Sequence, residues 1–214
     1  MIKQKRVYIQ LLILLIFLTG CTSEEMDSKI YKSKDIKESL AEKKQQKLQM
    51  EDMTDEELEK HFLENEAAYK EYAELVEESE YMIDYGKKEI LFGATAFHNF
   101  YLNMQTEEAK QLGITSIEQV DQHGILARFE EGKNSINQVA AVLQDYNDVP
   151  PLLYDAHYTL LDALSRYTQA MELVDETEGA FDLDEVSDII SQADDLVEDC
   201  LLYTSDAADE AGMV

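Results

Sequence analysis

From residue 54 onward, apolar side chains recur every three or four positions. Leu58, Phe62, Tyr69, Tyr72, Val76, Ile83, Ile90, Ala94, Phe97 and Tyr101 fall on one face of a helix. Thr54 with Glu57 three residues on forms a capping box at its start. Asn65, Ser79 and Gly86 stand where the stripe calls for an apolar side chain and weaken it. A continuous helix from 54 to about 108 would be about 80 Å long. Gly86 and Gly93 each disfavour a helix interior by about 1 kcal/mol, which predicts a kink or break near one of them.

Gly113 is a stop signal, and Thr115 with Glu118 makes a second capping box. Phe129, Gly132, Ile136, Val139, Leu143 and Tyr146 form the next stripe. Asn147-Asp148-Val149-Pro150-Pro151 is the sharpest boundary in the chain, because proline lacks an N–H and is tolerated only in a helix's first turn. Asp148 is the expected cap of a helix over about 150–176, with Leu153, Leu160, Leu164, Tyr167, Met171 and Val174 facing inward. Glu178-Gly179 ends it, and Asp182 with Glu185 can cap a last helix carrying Val186, Ile189, Ile190, Ala193 and Val197. No segment alternates with period two. Each helix is amphipathic, so each must bury a stripe against the others, and short connections favour antiparallel neighbours. The expected fold is all-α: an antiparallel up-and-down bundle of four or five helices over 54–199.

The N-terminal region has a different pattern. Lys3, Lys5 and Arg6 precede an apolar run from Val7 to Phe17, interrupted only by Gln10. Eleven residues are too few to span a bilayer, which takes roughly 20, but they suit a signal-peptide core. Leu18-Thr19-Gly20-Cys21 follows and resembles the lipobox of bacterial lipoproteins, in which the cysteine sulfur receives a diacylglyceryl group and the chain is cut before it. That resemblance implies a signal peptide over 1–20, lipidation at Cys21 and an extracytoplasmic, membrane-anchored protein. Two acyl chains are what stable anchoring requires. Residues 22–53 hold eight acids and seven lysines and few aromatics. They read as a charged tether, with a thin-faced helix over about 35–49 as an alternative. As a disordered chain they would span about 30 Å. Taken with Pro150, Pro151, His157, Leu160 and Ala163, the layout resembles uncharacterised small lipoproteins of Gram-positive bacteria, which implies a helical surface module and names no ligand.

Charge sharpens the picture. Of the chain's 46 acids and 18 lysines and arginines, 35 acids and eight cations lie between 54 and 199, a formal charge of −27. Such a body repels nucleic acid and anionic membranes, so the expectation is no nucleic-acid partner and a domain that stands off the surface. It can attract cations or a basic envelope or extracellular protein, or serve only to keep the domain soluble. With Cys21 lipidated, Cys200 has no partner for an intramolecular disulfide. The stretch from Cys200 to Glu210 resembles one translated frame of a sequencing-library adapter, which implies that 200–214 is a non-native tail and that Cys200 should be given no chemistry.

Familiar catalytic signatures are absent: no Gly-x-Ser-x-Gly, His-Glu-x-x-His, phosphate-binding glycine loop or Cys-x-x-Cys. The strongest metal candidate is His61 with Glu57 at i−4 and Glu64 at i+3, on neighbouring turns of one helix face, with His157, His98 or another acid completing the set. A solvated histidine among many acids is the alternative. His157 borders the Leu153–Leu160 stripe, where a boundary hydrogen bond is expected. Tyr146, Tyr154, Tyr158 and Tyr167 around the Pro-Pro turn either line a groove or pack core and rim. The glycines at 86, 93, 124 and 132 either permit close helix approach or mark breaks. The leading expectation is a non-enzymatic, lipid-anchored binding module without a cofactor. The alternative is a metal- or small-ligand-binding lipoprotein serving uptake, and an enzyme with a dispersed site ranks third.

Overall fold

The computed structural model describes residues 32–34, 36–37, 54–119, 121, 124–146, 149–150, 153–177 and 180–210. Within the helices the side chains of 55, 58, 59, 61, 62, 176, 177 and 202–210 fall outside that description. The described residues are helical and contain no strand. In chain order the helices are α1 (Asp55–Met104), α2 (Glu107–Leu112), α3 (Ile125–Asp145), α4 (Tyr154–Thr177) and α5 (Leu183–Glu210), with a 3₁₀ turn at Ile117–Gln119 before α3.

Among the described residues four long helices make the bundle. α1 packs on α3, α3 on α4, α4 on α5, and α5 closes back onto α1. Cross-helix contacts set the directions. Gly93 of α1 lies against Phe129 of α3, and Gly86 against Ile136. His98 of α1 meets Phe181 just before α5, and Lys87 meets Asp194. Residue numbers rise on one helix as they fall on its neighbour, so the topology is up-down-up-down, the all-α bundle expected from the stripes. Tyr69, Tyr72, Val76, Ile83, Ile90 and Ala94 of α1 are buried with Phe129, Ile136, Val139 and Leu143 of α3. Leu160, Leu164, Tyr167, Met171 and Val174 of α4 and Val186, Ile190 and Ala193 of α5 complete the core.

α1 has 50 residues and is about 75 Å long. Its start is the expected capping box: Thr54 accepts from the Glu57 N–H, and Glu57 accepts from the Thr54 N–H at 2.9 Å. The expected kink near Gly86 or Gly93 is not there. The helix runs straight through both, and the one non-helical residue inside it is Asn65 (φ −126°, ψ 18°). Asparagine competes with the helix for local hydrogen bonds. The two glycines serve packing instead. A Cβ on Gly93 would come within 2.7 Å of the Phe129 Cβ, and one on Gly86 within 3.0 Å of Ile136. Gly132 answers from α3, where a Cβ would stand 2.8 Å from the Gly86 carbonyl oxygen. Only hydrogen fits between these backbones, and the close approach outweighs the unfavourable helix propensity.

The connection to α3 also departs from expectation. Thr115 and Glu118 do not open a long helix. The Gln119 amide oxygen accepts from the Thr115 and Ser116 N–H groups and closes a 3₁₀ turn. α3 starts at Ile125 behind Gly124, whose φ of +66° suits glycine. Asp121 caps it, its carboxylate accepting from the Ile125 and Leu126 N–H groups at 2.7 and 3.1 Å. Gly113 closes α2 in the left-handed conformation (φ +68°). Asp182 caps α5 by accepting from the Asp184 N–H, as expected. Asp148, the expected cap of α4, lies outside the described residues.

Part of the charged spacer docks on the bundle. Ser33, Lys34, Ile36 and Lys37 are helical, and Ile36 is fully buried in the core. The Ser33 hydroxyl donates to Glu172 of α4 at 2.8 Å, and the Ser165 hydroxyl donates to the Ser33 carbonyl. Ile36 and Leu40 make only a thin apolar face among lysines and acids, so the apolar pattern did not reveal this contact. At the other end α5 continues without interruption past residue 199 to Glu210, with Cys200 buried in the core.

Candidate functional site

The sequence put its chemistry in three places, and the structure treats them differently. Cys21 lies outside the described residues. Of the metal candidate, His61 sits in α1 with its side chain outside the description. Its two flanking acids are engaged elsewhere. Glu57 holds the capping box, which keeps its carboxyl below the ordinary range through the Thr54 backbone and hydroxyl donors. Glu64 stands 3.9 Å from Lys60 in an i,i+4 pair. His98 is 37 residues along the same helix, about 55 Å away, and cannot share an ion with His61. Among the described residues no three histidines, cysteines or acids are grouped to hold a metal.

His157 is fully buried rather than at a boundary. Its Nδ1 lies 2.7 Å from the Tyr72 hydroxyl, tying α4 to α1 across the bundle. Tyr146 packs on Tyr72 with ring centroids 5.3 Å apart, and Tyr158 meets the His157 ring edge-on at 5.8 Å. Burial pushes the Tyr72 phenol well above its ordinary range, so it stays protonated and serves as a hydrogen-bonding group. The four tyrosines near the Pro-Pro turn divide between core and rim. Tyr167 is fully buried with its hydroxyl donating to Asp194, Tyr158 is buried, and Tyr154 stacks on it at the half-buried edge. Burial raises Tyr158 to about 12. The groove found on the described surface lies elsewhere, on the outer side of α1. What the sequence missed is the His157–Tyr72 bond, because the two residues are 85 positions apart on helices whose mutual register no local pattern reports.

The surface has a clearer character. Seven of the eight cations between 54 and 199 are in ion pairs with acids of the same bundle. Lys87 lies between Asp84 and Asp194, Lys88 pairs with Asp84, and Lys133 bridges Glu130 and Asp175. Arg128 grips Glu89 with two guanidinium nitrogens, Arg166 pairs with Asp162, Lys110 with Glu107 and Lys60 with Glu64. The Arg128 guanidinium holds the Glu89 carboxyl below its ordinary range. The surplus acids face water. On α1, Glu71, Glu74, Glu77, Glu78 and Glu80 are all exposed, and on neighbouring α5 so are Asp195, Glu198 and Asp199. An open groove of about 450 Å³ on the outer side of α1 is lined by Lys88, Leu91, Phe92, Thr95, Ala96 and Asn99. No described helix is long and apolar enough to cross a membrane. No protein-family model matches the chain, nor does any curated protein or solved structure.

Proposed function

We propose that the chain is a lipoprotein anchored through Cys21 to the extracytoplasmic face of the cell membrane, and that its acidic helical bundle binds a basic envelope or extracellular component without catalysis. The observation that carries this reading is the uncompensated surface. Seven of the bundle's eight cations are held in its own ion pairs, and along the exposed carboxylates of α1 and α5 only Lys70 is left over against a large surplus of acids. Fields of one sign speed encounter with an oppositely charged partner and favour it over acidic competitors. The lipobox supplies the address. The inward-facing polar groups knit helices together, Tyr72 to His157 and Tyr167 to Asp194, which suits a rigid scaffold presenting a surface.

Affinity capture on the full chain from detergent-solubilised envelopes tests this. The expected result is one or more basic proteins, retained at low salt and released as ionic strength approaches 1 M, where the Debye length falls to about 3 Å. Capture that ignores salt, or a retained set with no basic member, would overturn the reading.

A further inference from the structure

α1 carries two seams. The inner one runs Tyr69, Tyr72, Val76, Ser79, Ile83, Gly86, Ile90, Gly93 and Phe97, in alternating steps of three and four, and faces the core. On the opposite side the same alternation recurs at Tyr81, Tyr85, Lys88, Phe92, Thr95, Asn99 and Leu102, with Leu91 and Ala96 beside it. Apolar side chains at three-four spacing mark a helix that meets another helix; four of these seven are aromatic or leucine, while Lys88, Thr95 and Asn99 are polar. The inner seam has its partners in the bundle. The outer one is largely open: Tyr81 is 78 %, Leu102 51 %, Tyr85 40 % and Phe92 39 % exposed, with the Tyr85 hydroxyl donating to Glu131 of α3, and the open groove described above lies along it.

We propose that this outer seam is the contact between two copies of the chain, with the two α1 helices packed antiparallel about a two-fold axis at Phe92. The layout of charge selects the partner and the direction. Residues 91–106 contain no charged side chain, in a chain where 30 % of residues are charged. The preceding half of α1 is strongly acidic, with Glu71, Glu74, Glu77, Glu78 and Glu80 exposed. A parallel pair would lay acid on acid and Lys88 on its own copy. An antiparallel pair centred on Phe92 sets Tyr81 against Leu102, Tyr85 against Asn99, and Lys88 against Thr95 and Ala96. It carries the acidic halves to opposite ends, beyond Met104 of the other copy. Such a contact is isologous, each position meeting its complement twice. Arg128 of α3, held by Glu89, lies 3.8 Å over one face of the Phe92 ring and leaves the rest of that ring exposed at the centre of the seam. This contact does not depend on lipidation at Cys21 or on the acidic binding surface.

Cysteine cross-linking of the full chain in envelope preparations, read against the unsubstituted chain on non-reducing gels, tests it. Phe92→Cys should give a disulfide dimer, because the axis brings the two copies of that position together. Tyr81→Cys and Leu102→Cys should each give none alone, their own copies being about 30 Å apart. The same two variants co-expressed should cross-link to each other. No dimer from Phe92→Cys together with none from the co-expressed pair would overturn the proposal. So would Tyr81→Cys alone linking as readily as Phe92→Cys, since that pattern belongs to a parallel pair or to random collision.

Discussion

At the scale of single residues, the buried hydrogen bond between the Tyr72 hydroxyl and His157 Nδ1 is a polar contact on which the core depends. It joins diagonal helices, and both residues are fully buried. Removing the hydroxyl leaves the imidazole nitrogen without that bond in a dry site, a cost of about 1–3 kcal/mol. Tyr72→Phe should therefore lower the unfolding free energy by that amount and the urea midpoint with it, with no change in helical content, as urea titration followed by circular dichroism would show. An unchanged midpoint would mean the pair contributes nothing net. The residues that interrupted the α1 stripe each have their own explanation. Ser79 is buried with its hydroxyl donating to the Leu75 carbonyl, Gly86 admits Ile136 and Gly132, and Asn65 marks the kink. Sequence pattern registers all three as the same defect, because periodicity reports which face a position occupies and not what lies opposite.

At the scale of elements, the α1–α3 contact depends on glycine. Gly132 faces backbone, with the Gly86 carbonyl oxygen 2.8 Å from where a Cβ would stand and the Ile90 nitrogen 3.0 Å away. A methyl group there cannot be accommodated by a side chain swinging aside, so the two helices must separate. Gly132→Ala gains about 1 kcal/mol of helix propensity but incurs an overpacking cost of about 1–3 kcal/mol. The expected outcome is net destabilisation, although alanine is the better helix former. A thermal melt with a raised midpoint would contradict the close-packing account. The helices, their inner faces and three of their boundaries were legible in the sequence, since Thr54–Glu57, Gly113 and Asp182 act through local hydrogen bonds and backbone conformation. The start of α3 was not, because Asp121 caps it from four positions ahead across Gly124. Ile36 was not legible either, because its burial depends on a groove formed by helices more than a hundred residues later.

At the scale of the whole molecule, burial and charge set the response to pH. Tyr72, Tyr158 and Tyr167 all have phenols raised by burial, Tyr158 to about 12. In the unfolded chain they ionise near 10. The neutral forms therefore stabilise the fold fully below about pH 10, and that stabilisation is lost as pH rises from there through the folded values. Unfolding free energy should fall steadily between about pH 10 and 12, with tyrosinate absorbance at these sites appearing together with loss of helix. Full tyrosinate absorbance at pH 11 in a chain that keeps its helical signal would contradict the burial assigned to these rings. The same −27 body explains why the external face is where a partner is sought: its excess charge lies there, unmatched by the bundle's own cations.

The most direct test is intact mass and peptide mapping of the chain isolated from membranes of cells that express it. The expected product has its mature N-terminus at Cys21, with the first twenty residues gone and the sulfur carrying a diacylglyceryl group. An unmodified thiol at Cys21, or a chain still beginning at Met1 in the soluble fraction, would contradict it.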